Sequence, residues 1–157
     1  MQKIRPWLWL GNQIEVAARF YVSVFKNSSI TNVSYYGDAG PGKPGEPMVV
    51  NFVLDGVQFM ALNGGDGTEG DFTPAFYVDC DDQAEIDHLW ERLSEGGEPG
   101  VCGWLKDRYG VSWNIVPSRF GELMQDDDDE KTTRMLQAMF GMKKLDVAEL
   151  ERAFNGP

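Results

Sequence analysis

Phe72-Thr73-Pro74-Ala75-Phe76-Tyr77-Val78-Asp79-Cys80-Asp81-Asp82-Gln83-Ala84-Glu85-Ile86 is where the order of elements in this chain starts over. Residues 72–80 read as a β-strand, rich in aromatic and apolar side chains. Asp82 stands three residues ahead of Glu85, the capping-box spacing that satisfies free amides at a helix start. Ile86, Leu89, Trp90 and Leu93 follow at helical spacing on one face. Beyond Gly96-Gly97, Glu98 to Val101 reads as a short strand. Cys102 to Lys106 and Val111 to Val116 then flank the turn Asp107-Arg108-Tyr109-Gly110 as a hairpin. Working back, Lys3 to Leu10 is an apolar strand with Trp7 and Trp9 on one face, and Gly11 breaks it. Asn12 precedes Glu15 by three, a second cap spacing, and Ile14, Ala17, Ala18, Tyr21, Val24 and Phe25 predict a helix over 13–25. Ser29 to Tyr36 is a strand. Met48 to Leu54 and Val57 to Asn63, separated by Asp55-Gly56, form a hairpin. The order strand, helix, three strands therefore occurs twice.

The chain has 157 residues, 42% of them apolar, and a formal charge of −11 from 14 basic and 25 acidic side chains. That composition excludes a disordered chain, and its length suits one compact domain or two small modules. The acidity speaks against nucleic acid, whose phosphates require a basic surface. No run approaches the roughly 20 apolar residues of a membrane span. The start, Met1 to Trp7, lacks the apolar core and cleavage site of a signal peptide, and Cys80 and Cys102 are the only cysteines. A reduced, cytoplasmic protein is expected. Gly37 to Pro47, with four glycines and three prolines, is a loop without the helix behind it that a phosphate cradle needs.

Pro117 closes the second unit, and the residues after it read as helical. Asp126 to Asp129 place negative charge at a helix start, followed by Met135, Leu136, Met139 and Phe140. A last helix begins at Asp146, with Glu149 at the capping position and Leu145 placed to staple onto Leu150. These helices are expected to cover apolar surface on the strands or on a partner subunit. His88, the only histidine, lies opposite its helix's apolar stripe and reads as solvated, which leaves a nucleophile without an evident base. The cysteines read as small core or edge residues, and Asp107 and Arg108 as turn residues.

Two βαβββ units in this order resemble the vicinal oxygen chelate superfamily of glyoxalases, extradiol dioxygenases and bleomycin-resistance proteins. Pro6-Trp7-Leu8-Trp9, Phe20 to Phe25, Ala61-Leu62-Asn63-Gly64-Gly65 and Cys102 to Trp113 resemble its PhnB-like branch, also labelled 3-demethylubiquinone 3-methyltransferase. The resemblance implies an α+β fold: two modules, residues 1–66 and 71–117, forming one domain with a curved mixed sheet, and a helical extension over 118–157. It also implies a homodimer, to which the apolar C-terminal helix would lend support. Relatives aim metal ligands, usually His, Glu or Gln, into a cup from four strand positions. These transfer to Arg5, Asn63, Thr73 and Asn114, none of which is a good donor for zinc or iron. Metal and cofactor are therefore expected to be missing. Alternation from the same positions puts Trp7, Trp9, Phe59, Ala61 and Asn63 inward from the first unit. Ala75, Tyr77, Ser112 and Asn114 follow from the second, with Trp104 and Lys106 sharing a face.

This set suits a small-molecule site, because rings bury a flat ligand and a few polar groups orient it. The other reading of the same rings is a filled core. The leading expectation is thus a PhnB-like protein that binds a small molecule in an aromatic cup without the superfamily's metal. The alternatives are a metal-dependent lyase, isomerase or dioxygenase of the glyoxalase type, and a non-catalytic interaction protein. Whether any reaction is catalysed stays open. A methyltransferase of the common type is not expected, since its Gly-rich turn after a parallel strand is missing: Leu10-Gly11-Asn12 has one glycine.

Overall fold

The computed structural model describes residues 2–65, 75–108 and 111–157. Contacts divide the chain into two compact units, residues 1–74 and 75–157. The first unit runs β1 (Ile4–Trp9), a 3-10 turn (Gly11–Gln13), α1 (Ile14–Val24), β2 (Ser29–Tyr35), β3 (Pro47–Leu54) and β4 (Val57–Leu62). Its strands lie in the order β2-β3-β4-β1, antiparallel except for the parallel pair β4–β1. The second unit runs β5 (Ala75–Cys80), α2 (Gln83–Ser94), β6 (Glu98–Pro99), β7 (Trp104–Lys106) and β8 (Ser112–Pro117). Its order, β6-β7-β8-β5 with β8–β5 parallel, reproduces the connectivity of the first. Three further helices follow: α3 (Ser118–Leu123), α4 (Asp129–Phe140) and α5 (Val147–Asn155). The fold is α+β, built on two βαβββ modules.

Each module buries one sheet face under its helix. In the first, Ile14 and Ala18 of α1 pack on Val50, Phe52 and Ala61, flanked by Leu8, Leu54 and Phe59. In the second, Ile86 of α2 packs on Val78, Cys80, Leu105 and Ile115. The β3–β4 turn has φ of 47° at Asp55 and 79° at Gly56, the left-handed pair that a two-residue hairpin requires. The loop after β2 closes on Tyr36, whose ring occupies the space a Cβ at Gly42 would need.

Local signals hold unevenly. Asp82 caps α2, accepting from the Glu85 amide at 2.9 Å, and Glu85 returns the bond to the Asp81 amide at 2.7 Å. Asp128 caps α4 by accepting from the Glu130 and Lys131 amides, and Asp146 caps α5 by accepting from the Glu149 amide. Asn12 does not cap α1. It lies inside the 3-10 turn, so the helix begins at Ile14 without a side-chain cap. Glu15 instead bonds Arg19 at 2.7 Å and the Tyr35 hydroxyl at 3.4 Å. The strand expected from Cys102 begins at Trp104, because Cys102 adopts φ 57° and bonds the Met142 carbonyl at 2.8 Å. The strand expected over Glu98–Val101 is confined to Glu98–Pro99. The expected segments 72–74 and 109–110 fall outside the described residues.

The C-terminal helices belong to the second unit. Gln83 of α2 donates to the Leu145 carbonyl at 3.1 Å and accepts from the Val147 amide at 2.8 Å. Met135, Leu145, Leu150 and Phe154 are buried, and Val147 packs against the α2 core. Much of their apolar surface is thus covered within the chain, while Phe140 of α4 stays exposed.

Candidate functional site

Register decides which expected residues share a face. Trp7 and Trp9 pair with Met60 and Leu62 across the parallel β1–β4 ladder, while Leu8 pairs with Ala61. Side chains alternate along a strand, so Phe59 and Ala61 lie under α1, on the opposite face from Trp7 and Trp9. This corrects the expected first-unit set. Phe59 stacks on Phe52 with centroids 5.6 Å apart and planes 19° from parallel, a core contact. The face opposite α1 instead carries Trp7, Trp9, Met60, Leu62 and, one strand further, Asn51 opposite Met60. Trp7 is buried and Trp9 half-buried.

Asn63 lies just past β4 and is 2% exposed. Its amide donates to the Pro47 carbonyl at 3.0 Å and accepts from the Gly65 amide at 3.1 Å, and its own carbonyl accepts the Tyr36 hydroxyl. Burial, with Glu46 adding repulsion, raises the Tyr36 pKa and keeps that hydroxyl a donor.

In the second unit, Tyr77 pairs with Asn114, Ala75 with Ser112, and Trp104 and Lys106 with Asn114 and Ser112. All lie on the face opposite α2. Tyr77 and Asn114 are buried, and Asn114 donates to the Cys102 carbonyl at 3.1 Å. At the β6–β7 edge, Glu98, Trp104, Lys106 and Ser112 line an open depression of about 200 Å³. The opposite face holds Phe76 against Trp113, centroids 5.3 Å apart. Trp113 donates from its indole to Asp107 at 3.0 Å, and Asp107 also accepts the Val111 amide at 3.1 Å, so this carboxylate builds its turn.

The positions to which the relatives' metal ligands transfer do not suit zinc or iron. Arg5 brings a cation, the Asn63 amide is engaged with backbone groups at both its nitrogen and its oxygen, and the Asn114 nitrogen donates to the Cys102 carbonyl. Thr73 lies outside the described residues. Among the described residues no three His, Cys, Asp or Glu groups are gathered to hold a metal. His88 is exposed, and burial raises the Cys102 pKa, away from a reactive thiolate. Two residues escape sequence reasoning. Glu98 joins the second-unit depression through its pairing with Lys106. The buried side-chain oxygen of Asn51, Oδ1, has no hydrogen-bond partner among the described residues. Only the ladder register identifies either.

The family model described as 3-demethylubiquinone-9 3-methyltransferase matches residues 2–116. A protein of known structure from Staphylococcus aureus is 27% identical, with TM-score 0.59, over 73% of this chain and 95% of its own. The PhnB protein from Bacillus cereus is 34% identical, with TM-score 0.41, over 74% of this chain and 100% of its own. A glyoxalase/bleomycin resistance protein/dioxygenase superfamily member from Vibrio splendidus 12B01 is 19% identical, with TM-score 0.43, over 74% and 98%. No curated protein matches.

Proposed function

The chain belongs to the 3-demethylubiquinone-9 3-methyltransferase, PhnB-like family, and from that premise we propose that it binds a small molecule without a catalytic metal. It does so, on this reading, as a cytoplasmic homodimer, through an aromatic sheet face, that of the first unit opposite α1 or that of the second opposite α2. The observation that carries the proposal is the state of Asn63 and Asn114: where the resembling superfamily keeps metal donors, these buried amides hold the chain's own backbone. Each face offers apolar area and hydrogen-bonding groups of its own for an organic ligand: Trp9 and the Asn51 side-chain oxygen on the first unit, Trp104 and Ser112 on the second. Methyl transfer by the common route has no support in the two units, in each of which one parallel pair adjoins antiparallel strands.

Elemental analysis of the purified protein, paired with a thermal-shift screen of metabolites and drugs, tests this. Ligands that bind the native state raise its melting temperature by mass action, and Trp9→Ala or Trp104→Ala should shrink that rise. Stoichiometric zinc, iron, nickel or manganese would replace the proposal with metal-dependent lyase, isomerase or dioxygenase chemistry. The burial of Trp7 and Tyr77 favours one second reading, an interaction protein whose rings are core. A screen without any shift would support it.

A further inference from the structure

Three polar side chains of the second unit stand in one row across its strands. Glu98 of β6 pairs with Lys106 of β7, and Lys106 pairs with Ser112 of β8, on the face opposite α2. Trp104, two residues before Lys106, shares that face. These four line the open depression of about 200 Å³ at the β6–β7 edge. Glycines let the edge close up: a Cβ at Gly97 would run into the Lys106 carbonyl, and one at Gly100 would lie 2.8 Å from the Trp104 carbonyl. Glu98 and Lys106 are exposed, Trp104 and Ser112 half-buried. Residues paired across an antiparallel ladder have Cα atoms roughly 4.5–5.5 Å apart, so the two opposite charges are within reach of each other. Among the described residues neither is held in an ion pair. An acid, a base and a hydroxyl are thus presented side by side, next to an indole.

We propose that this depression binds the dipolar head of a free α-amino acid with an apolar or aromatic side chain. The ligand's ammonium donates to Glu98, its carboxylate accepts from Lys106 and the Ser112 hydroxyl, and its side chain lies on Trp104. The inference rests on the small-molecule reading above and names the ligand class and the face. Charge selects a dipolar ion. An anion drawn to Lys106 meets Glu98 one strand away, and a cation drawn to Glu98 meets Lys106, whereas a molecule carrying both signs satisfies each. Size and the ring select the rest. The depression is smaller than the roughly 300–1,000 Å³ of sites for drug-sized molecules. The half-buried indole offers its face to an apolar or aromatic group. The edge also speaks against a peptide as occupant: β6 has two residues, and Pro99 has no N–H to give to an added strand.

NMR titration of the full chain with L-phenylalanine tests the proposal, beside phenylpropionate, which lacks the ammonium, and phenethylamine, which lacks the carboxylate. L-Phenylalanine should shift the Trp104 indole and Ser112 amide resonances. Each half-ligand should bind about tenfold or more weakly, the loss of one charge-assisted contact. Glu98→Gln should weaken L-phenylalanine by a similar factor and leave phenylpropionate no weaker. Lys106→Gln should do the same and leave phenethylamine no weaker. Both positions are exposed, so neither variant should disturb folding, and Lys143→Gln, at an exposed lysine outside the depression, should bind as the wild type does. Half-ligands as tight as L-phenylalanine, shifts confined to other residues, or Glu98 and Lys106 variants without effect would overturn the proposal. If amino acids leave the protein unchanged while other metabolites raise its melting temperature, the ligand class falls and the small-molecule reading stands. If no compound raises it, both fall.

Discussion

Asn63 shows how much one side chain does in the first module. Its amide ties Pro47 at the start of β3 to Gly65 beyond β4, and its carbonyl receives Tyr36 from the end of β2. Asn63→Ala should cost about 2 kcal/mol in urea unfolding, since two buried hydrogen bonds are removed. Tyr36 makes the same junction sensitive to alkali. Its pKa is raised above the ordinary 10.0 by burial first and by Glu46 second. The folded state thus favours the neutral phenol. Its stabilising effect is complete below pH 10.0, the unfolded value, and is lost as pH rises through the higher folded value. The urea midpoint should fall in that alkaline window, and Tyr36→Phe should flatten the fall.

At the scale of the element, the four helix starts marked by Asn12, Asp82, Asp128 and Asp146 differ in what their sequences deliver. Asp146→Ala removes a bond to the Glu149 amide at 2.9 Å and should destabilise the protein by about 1 kcal/mol. Asn12→Ala should leave the melting temperature nearly unchanged, because Asn12 makes no cap. A melt shifted as far as that of Asp146→Ala would contradict the uncapped start of α1. The β4 register yields a sharper contrast. Phe59→Ala should unfold the protein more easily by about 3 kcal/mol, the range for a ring lost from a packed core, whereas Trp9→Ala should act more on ligand-induced stabilisation than on folding. Equal effects in both assays for both variants would mean that the two faces are not distinct in use.

For the whole molecule the governing quantity is charge. A chain at −11 repels its own copies, and salt screens that repulsion over a Debye length of about 8 Å at roughly 0.15 M. If the copies meet through an apolar surface, raising sodium chloride from low to physiological concentration should tighten the dimer. An interface built on exposed ion pairs would loosen instead. Sedimentation equilibrium across a salt series distinguishes the two signs.

Two periods, two residues for strands and 3.6 for helices, made the repeated βαβββ order legible, because burial on one face imprints them wherever an element has one covered side. The caps at Asp82 and Asp146 were legible too, since they act within four residues, whereas for α4 only the acidic run Asp126 to Asp129 was. What a single strand cannot encode is its alignment with a neighbour. A slip of one residue exchanges the two faces, which is why Phe59 and Ala61 moved beneath α1 while Tyr77, Ser112 and Asn114 share one face of the second module. The amino-acid order by itself fixed the modules, the acidic surface and the shortage of metal donors. The pairing of β1 with β4 and the backbone bonds that occupy Asn63 and Asn114 came from tertiary structure alone, because each depends on segments brought together from far along the chain.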